Sequence, residues 1–333
     1  MADTRETLKL VKDLSRKEIV FALAHLPGSS RFVFGGSDSM VYDVDLASAK
    51  PEPRSLGSHD SYVTGLAIAQ RRAISGSYDG RLIWWDLDYQ ERLFTVEAHA
   101  RWIRDVAASS DGKTVASVAD DMVCRVWDAE TGEKRFELRG HEAVTPHHFP
   151  SMLYACAFSP DGRYLASGDK VGHVVIWDLT TGQAAGTLEV PTMYTWDPSQ
   201  RRHSIGGIRS LAFSPDGNRL AIGGMGKVGN IDHLEGLARV EIFDWRKAER
   251  SHEYAGDTFK GLVERLVFLA SGDRLLAVGG TNDGFLMLFD LSQKSAKLQE
   301  KIGFHVHDAV VGDASNSIFL AGHGKLAEYE LKV

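Results

Sequence analysis

Short apolar runs recur along the chain, and tight clusters of Gly, Ser, Asp and Asn separate them. The clearest example is Ala73–Leu87, AISGSYDGRLIWWDL, in which two runs rich in β-branched and aromatic residues flank the turn Asp79-Gly80. This pattern predicts a β-hairpin. We therefore expect an all-β chain built from repeated hairpins. Similar segments are Ala116–Ala129, Ala166–Leu179, Phe34–Leu46, Ala277–Leu291 and Leu320–Leu331.

An acidic residue closes each hairpin and gives the length of the repeat. Successive closing residues are 41, 42, 50, 66, 46 and 40 positions apart. A base period of about 40–45 residues is the length of one four-stranded propeller blade. Seven closing residues predict a seven-bladed β-propeller of four-stranded antiparallel blades, forming a single domain over residues 1–333. These residues are Asp45, Asp86, Asp128, Asp178, Asp244, Asp290 and Glu330.

The two ends of the chain are predicted to share one blade. Glu6–Leu14 has the pattern of a single strand with nothing before it to pair with, whereas Asp308–Val333 has the pattern of three strands. We expect Thr7–Val11 to be the outer strand of the last blade. Such pairing would close the ring and cover an otherwise exposed strand edge.

Composition narrows the range of partners and compartments. The formal net charge is -7, so the chain lacks a basic field that would attract nucleic acid or an anionic membrane. Its two cysteines are too few for a disulfide framework. Met1–Lys12 lacks the apolar segment of a signal peptide. These features lead us to expect a soluble cytoplasmic protein.

At the hairpins the chain resembles the WD-repeat β-propeller family. In that family a His before the inner strand, a Ser or Thr in the second strand, an Asp in the next turn and the Trp of the third strand form a buried hydrogen-bonded tetrad. The resemblance implies two complete tetrads. The first comprises His59, Ser75, Asp79 and Trp85, and the second comprises His99, Ser117, Asp121 and Trp127.

The other blades match this tetrad less well. Blade 4 keeps Ser167 and Trp177, and His141 is a candidate, but Val171 stands where the Asp is expected. The remaining blades have Val44, Phe243, Phe289 and Tyr329 at the Trp position. A His, a Ser and an Asp together also suggest a hydrolase triad. Because the same set recurs in two blades, we interpret it as structural and predict no catalytic residue.

Three long connections account for the two spacings that exceed the base period. Gly140–Ser151 joins blades 3 and 4, Pro191–Gly206 joins blades 4 and 5, and Met225–Leu237 lies between the second and third strands of blade 5. The family topology places all three on one face of the ring, here called the top face. Long loops on a rigid scaffold often carry binding residues. We therefore predict that these loops provide specificity.

Aromatic and arginine side chains, which are frequent interface anchors, identify the candidate partner-binding residues. Trp102 and Arg104 are the strongest of them, because they suit capture of a peptide or an acidic group. Packing between blades, or of the loop on the propeller, is the alternative role. The candidates on the channel rim are Tyr62, Trp102, Arg104, Met152, Tyr154 and Arg209, and those in the 191–206 connection are Tyr194, Trp196, Arg201 and Arg202.

A group of loop histidines raises the question of a metal. His141, His147, His148 and His203 could converge with Glu142 on the top face and hold Zn²⁺. His147 and His148 are adjacent, however, and lack the spacing of a ligand pair. We interpret these as solvated histidines and predict no metal and no cofactor. The sequence also lacks a phosphate-binding loop, a dinucleotide fingerprint and a metalloprotease motif.

The resulting functional prediction is a non-enzymatic scaffold that binds another protein or a peptide segment on its top face. The chain is expected to be a monomer alone or a subunit of a hetero-complex. One alternative is a propeller hydrolase or metal-dependent enzyme at the central channel, for which Asp105 and Glu264 are available. The other alternative is a rigid assembly platform without a recognition site of its own.

Overall fold

The computed structural model describes residues 6–197, 202–293, 295–313 and 316–332. In these ranges the structure is all-β, apart from one 3-10 turn at Pro191–Met193. None of the described segments forms a helix long and apolar enough to cross a membrane. The strands in chain order are β1 Thr7–His25, β2 Arg31–Gly36, β3 Met40–Asp45, β4 Arg54–Ser58, β5 Val63–Ala69, β6 Arg72–Ser77, β7 Arg81–Asp86, β8 Glu91–Glu97, β9 Ile103–Ala108, β10 Thr114–Ala119, β11 Cys124–Asp128, β12 Lys134–Leu138, β13 Leu153–Phe158, β14 Tyr164–Asp169, β15 His173–Asp178, β16 Gln183–Glu189, β17 Tyr194–Asp197, β18 His203–Gly206, β19 Ile208–Phe213, β20 Arg219–Met225, β21 Ala238–Asp244, β22 Glu249–Tyr254, β23 Leu262–Phe268, β24 Arg274–Gly280, β25 Phe285–Asp290, β26 Ser295–Lys301, β27 Val306–Val311 and β28 Ser317–Lys332.

Five of the sheets have the predicted four antiparallel strands in sequence order. They are β5–β8, β9–β12, β13–β16, β19–β22 and β23–β26. Successive side chains of a strand point to opposite faces of its sheet, so each sheet packs against the neighbouring sheet on either side. In β7, for example, Leu82 and Trp84 pack with one cluster, whereas Ile83 and Trp85 pack with the next.

The prediction of seven separate blades is wrong, because hydrogen bonding in the described residues gives six blade sheets. The predicted first and last blades are joined in one six-stranded sheet with the order β27-β28-β1-β2-β3-β4. β1 is a single strand of 19 residues that passes from the outer position of one predicted blade to the inner position of the next without a loop. Its register against β28 shifts between Ser15 and Ile19, where the two predicted blades would have separated.

The expected pairing of the chain ends is present in this sheet. Thr7 lies opposite Lys332, and the antiparallel pairing continues to Ser15 opposite Lys325. The strand begins where the sequence predicts it but continues much further, to His25. The two ends of the described chain are therefore held by each other, which closes the ring of sheets.

A central channel runs between the first strands of the repeats. Each inner segment contacts the next around the ring, in the order β1, β5, β9, β13, β19, β23, β27 and back to β1. Every one of these strands contains a β-bulge, which lies near the strand's start except in the long β1, and such bulges redirect a side chain. The seven bulged residues all line one cavity of about 250 Å³. They are Phe21, Thr64, Arg104, Tyr154, Arg209, Glu264 and His307.

Candidate functional site

The hydrogen bonds of the first tetrad lie within the β5–β8 sheet. His59 is within 3.0 Å of Asp79 through Nδ1 and within 2.7 Å of Ser75 Oγ through Nε2. Trp85 Nε1 donates to the same Ser75 Oγ at 2.8 Å. The Ser75 side chain is completely buried, so it cannot meet a substrate. The arrangement therefore stabilises the blade and is not a nucleophilic site.

The second tetrad has the same geometry and one additional charge. His99 Nε2 lies 2.8 Å from Ser117 Oγ, and His99 Nδ1 lies 3.0 Å from Asp121. Arg125 donates to Asp121 at 2.8 Å. Burial raises the pKa of Asp121, but the hydrogen bonds and charges of His99 and Arg125 outweigh this effect and hold it far below its usual range.

A third complete tetrad corrects the sequence prediction for blade 4. His141 Nδ1 lies 3.0 Å from Asp169, and its Nε2 lies 2.8 Å from Ser167, to which Trp177 also donates. The Asp is two residues after the Ser rather than four. Val171 occupies the expected position, and its backbone N–H donates to Asp169. The sequence prediction looked for the Asp in the turn, whereas the carboxylate comes from Asp169 at the end of strand β14.

The channel mouth, which we define as the top-face end lined by the seven bulged residues, has an aromatic and cationic side. Arg104 forms a two-pronged ion pair with Asp120, with both N···O distances at 2.7 Å. It also donates to the Tyr78 hydroxyl at 2.6 Å. Arg104 was predicted to suit capture of a peptide or an acidic group, and in this structure its charge is paired with Asp120. Nothing in the hairpin pattern singled out Asp120 or Tyr78.

Arg209 is the less satisfied of the two arginines. Its guanidinium lies over the ring of Tyr154 at 3.6 Å from the centroid. The Nε atom is shielded from solvent and has no hydrogen-bond partner in the described ranges. The Arg209 charge also affects Lys170 nearby. Burial is the main cause that lowers the pKa of Lys170, and repulsion from Arg209 lowers it further. This side of the mouth can therefore accept an anionic group.

Two of the predicted rim residues are exposed aromatic side chains that contact Tyr78. Trp102 is 50% exposed and stacks on Tyr78 at 4.5 Å with the rings nearly parallel. Tyr62 is 44% exposed, and its ring centroid lies 5.9 Å from that of Tyr78. Met152 is half-buried, and its Sδ accepts a hydrogen bond from the Tyr154 hydroxyl at 2.9 Å. Met152 therefore helps to hold Tyr154 in place.

Charged groups deeper in the channel are used for structure. Asp105 accepts backbone hydrogen bonds from Val106 at 2.9 Å and Cys156 at 3.0 Å, and burial raises its pKa to about 6. Arg265 donates to Asp308 at 2.5 Å. Asp105 was a candidate for a channel enzyme, but these bonds tie it to the neighbouring sheet.

The opposite side of the mouth carries histidines that sequence reasoning missed. His305, His307 and His323 are mutually in ring contact, with centroids 4.3–5.0 Å apart. Glu264 lies 3.7 Å from His305 Nε2. The available signal was His305-Val306-His307, since residues two apart on a strand share a face. Attention to the loop histidines obscured that pair.

The 191–206 connection forms a small hairpin, β17 paired with β18. Tyr194 is only 8% exposed, and its hydroxyl donates to Thr145 Oγ1 at 3.0 Å. Tyr194 thus has the alternative packing role, because its ring anchors one loop to another. Arg202 is exposed, and the predicted Arg201 lies outside the described residues.

The three long connections touch one another on the top face. Trp196 is 40% exposed and stacks on His147 at 3.8 Å, which joins the 191–206 and 140–151 connections. The backbone N–H of Val228 donates to Thr195 Oγ1 at 3.1 Å, which joins the 191–206 and 225–237 connections. We call this group of connections the loop sector.

The four histidines considered for a metal do not form a cluster in the described structure. His141 belongs to the third tetrad, and His147 stacks on Trp196. Only His305, His307 and His323 bring three potential ligand atoms together among the described residues. The loop histidines therefore have separate structural settings.

The ring of sheets around a channel defines a β-propeller. The profile of the family described as WD domain, G-beta repeat matches residues 51–86, 90–128, 132–178 and 197–228. With the tetrads and the relatives below, this match shows that the chain belongs to the WD-repeat β-propeller family.

Relatives of this chain include several proteins with this repeat. It is 28% identical over 218 residues to WD repeat-containing protein SL1-17 of Schistosoma mansoni, covering 65% of this chain and 63% of that protein. It is 25% identical over 250 residues to guanine nucleotide-binding protein subunit beta of Oryza sativa subsp. japonica, covering 72% and 58%. It is also 25% identical over 258 residues to telomerase protein component 1 of Mus musculus, covering 78% of this chain but 8% of that protein.

Proposed function

We propose that this protein is a non-enzymatic scaffold that binds another protein or a peptide segment on its top face. The observation that carries the proposal is the channel mouth, where Trp102 and Tyr62 are exposed and the Arg209 guanidinium lies over Tyr154. Tyr, Trp and Arg are the residues most enriched among interface anchors. Similarity to a G-protein β subunit, whose name denotes an assembled subunit, also supports a role in protein assembly.

The exposed aromatic side chains are held in place before any partner arrives. Trp102 stacks on the Tyr78 ring, and the Arg104 guanidinium lies near both rings, 5.2 Å from the Trp102 centroid and 4.9 Å from the Tyr78 centroid. Arg104 is fixed in turn by Asp120. Binding therefore costs little side-chain entropy at this position.

The charge at the mouth favours a partner segment with an acidic group. Arg104 is neutralised by Asp120, whereas Arg209 Nε has no hydrogen-bond partner among the described residues, so we expect a partner to meet the Arg209 charge. Its planar guanidinium suits a carboxylate, and stacking on Tyr154 fixes its orientation. We infer that an aspartate, a glutamate or a C-terminal carboxylate of the partner enters the mouth.

The loop sector is the second part of the proposed surface. Trp196 is exposed there, and Val144 of the 140–151 connection is 54% exposed. The contacts between the connections give these side chains a common support. We propose that the loop sector adds specificity to binding at the channel mouth.

Quantitative affinity capture from native lysate tests this surface. The bait proteins would be wild type, Trp102→Ala, Arg209→Gln, Trp196→Ala and the control Tyr89→Ala. Tyr89 is 79% exposed in the β7–β8 turn, at the opposite end of the strands. We expect the first three variants to lose a specific partner at least about tenfold, the equivalent of 1.4 kcal/mol, while Tyr89→Ala retains it.

The captured partner then permits a direct measurement with purified proteins. Titration calorimetry should show that added salt weakens binding to wild type more than binding to Arg209→Gln, because an ion pair is screened. Equal retention of the same partners by all four variants would refute a top-face site. Loss only in Tyr89→Ala would place binding on the opposite face.

A further inference from the structure

The histidine side of the channel mouth brings three imidazoles together without an evident structural purpose. One ring nitrogen from each of His305, His307 and His323 lies within 4.8 Å of the other two. We propose that these three histidines bind a divalent transition-metal ion with the coordination preferences of Zn²⁺. This proposal is independent of partner binding on the other side of the mouth.

The backbone explains why the three rings converge. His305 immediately precedes β27, His307 is the bulged residue of that strand, and His323 lies on the adjacent β28. The backbone N–H of His323 donates to the His305 carbonyl at 3.0 Å, which aligns the two strands at this level. Two histidines one residue apart and a third across the ladder thus share one face.

Two ring nitrogens of the cluster are unsatisfied in the described structure. Nε2 of His305 and Nε2 of His307 are both shielded from solvent, and neither has a hydrogen-bond partner among the described residues. A buried polar atom without a partner costs about 1–3 kcal/mol. Coordination of a metal ion would satisfy both nitrogens at once.

The local charge also suits a cation. Glu264 Oε1 lies 3.7 Å from His305 Nε2, so a carboxylate stands beside the imidazoles. A carboxylate oxygen is also an accepted ligand of Zn²⁺.

The geometry is close to a three-histidine site. Zn–N distances of about 2.0–2.1 Å in a tetrahedron require nitrogens about 3.3 Å apart. The present separations are all within 4.8 Å, and His323 is exposed and can rotate toward the other two. Three imidazoles leave a fourth position facing the channel mouth, available to Glu264 or to water.

Zinc titration of the full chain tests the site. After dialysis against a chelator, calorimetry of wild type should show one equivalent of Zn²⁺ bound. His323→Gln and His307→Gln should each weaken this binding at least about tenfold, since even second-shell changes cost that much. The matched control is His203→Gln, an exposed histidine of the 191–206 connection, which should bind like wild type.

Cobalt provides an independent readout of the ligand set. The Co²⁺ complex of wild type should show visible absorption typical of four-coordinate nitrogen and oxygen ligation, and His323→Gln should lose it. Because His323 is exposed, this variant is expected to retain the wild-type melting temperature. The proposal would be overturned if wild type bound no stoichiometric Zn²⁺, or if His203→Gln lost binding while both cluster variants kept it.

Discussion

The two sides of the channel mouth place different chemistry at the same backbone position. On one side the bulged residues of β9, β13 and β19 are Arg104, Tyr154 and Arg209. On the other side, those of β23 and β27 are Glu264 and His307. The bulge recurs in every repeat, so the difference lies in the side chains. The repeat thus supplies an inward-facing position, and each blade uses it separately.

The sheets behind the two sides are also held differently. The sheets β5–β8, β9–β12 and β13–β16 each contain a complete tetrad. In the β23–β26 sheet Phe289 occupies the Trp position and packs in an apolar cluster. We therefore expect the tetrad sheets to depend on buried hydrogen bonds and the histidine side to depend on packing. The following predictions test this contrast.

The largest effect is expected for Asp121→Ala in the second tetrad. This change leaves His99 and Arg125 without their shared carboxylate, and removing one partner of a buried ion pair costs about 3–5 kcal/mol. Urea denaturation monitored by circular dichroism would measure the free energy of unfolding. Asp60→Ala is the control, because that exposed carboxylate pairs only with Arg81 in the described contacts and should change the free energy by under about 1 kcal/mol.

The pH dependence of this difference has a definite sign. The pKa of Asp121 is lower in the folded chain than the 3.8 of an ordinary Asp. Its contribution is therefore complete above about pH 4 and is lost as the pH falls toward the folded value. The difference in unfolding free energy between wild type and Asp121→Ala should shrink below about pH 4. A difference that stays constant from pH 7 to pH 3 would contradict this origin.

Asp169→Ala should destabilise the chain by roughly 2–3 kcal/mol, since it leaves buried His141 without its acceptor. Val171→Ala at the position expected from the sequence should cost under about 1 kcal/mol, because that side chain is only half-buried. Thermal and urea unfolding of the two variants would decide between these positions. A larger loss for Val171→Ala would show that the third tetrad is not formed.

These residues also show the limit of what the sequence could predict. The hairpin pattern and the Trp positions predicted the strands, because alternation and turn residues are local properties. The pattern could not reveal that β1 continues through two predicted blades. Between Ser15 and Ile19 the strand shifts its register against β28 without a turn, and a register shift leaves no turn residue in the sequence. Likewise Asp169 was missed because its carboxylate reaches the tetrad from a strand end rather than a turn.

The site was predicted less completely than the fold. Tyr62, Trp102 and Arg104 could be proposed because inner-strand starts align with the repeat. Their supports are not visible in a sequence, since Asp120 and Tyr78 come from other turns. The metal candidate was missed because His323 joins the His305–His307 pair only through the pairing of β27 with β28.

Burial of His307 on the histidine side should make the free energy of unfolding depend on pH at higher pH values than Asp121 does. Burial lowers the pKa of His307 from 6.5 to about 4, against the opposing charge of Glu264 and beside His305 and His323. The unfolded chain binds this proton first, so the free energy of unfolding falls as the pH drops from about 6.5 to about 4. His307→Gln should remove about 3 kcal/mol of this loss.

Unfolding of the His307→Gln variant should be measured in chelator-treated buffer between pH 7 and pH 4. His203→Gln is the control, because an exposed histidine should not change the slope. Equal slopes for wild type and His307→Gln would show that His307 is not buried in the neutral form. The two sides of the mouth would then not differ in how the free energy of unfolding depends on pH.

The smallest effect is expected in the loop sector, which contacts the tetrad side of the ring. Tyr194→Phe removes a hydroxyl that donates to Thr145, while the Phe149 N–H still donates to Thr145 Oγ1 at 3.1 Å. Because one acceptor remains partly satisfied, the cost should be only about 1 kcal/mol. Hydrogen exchange should show faster exchange in the 140–151 and 191–206 connections and no change in β27. Faster exchange throughout the ring would instead make Tyr194 part of the global fold, so that the loops could not adapt to a partner independently of the sheets.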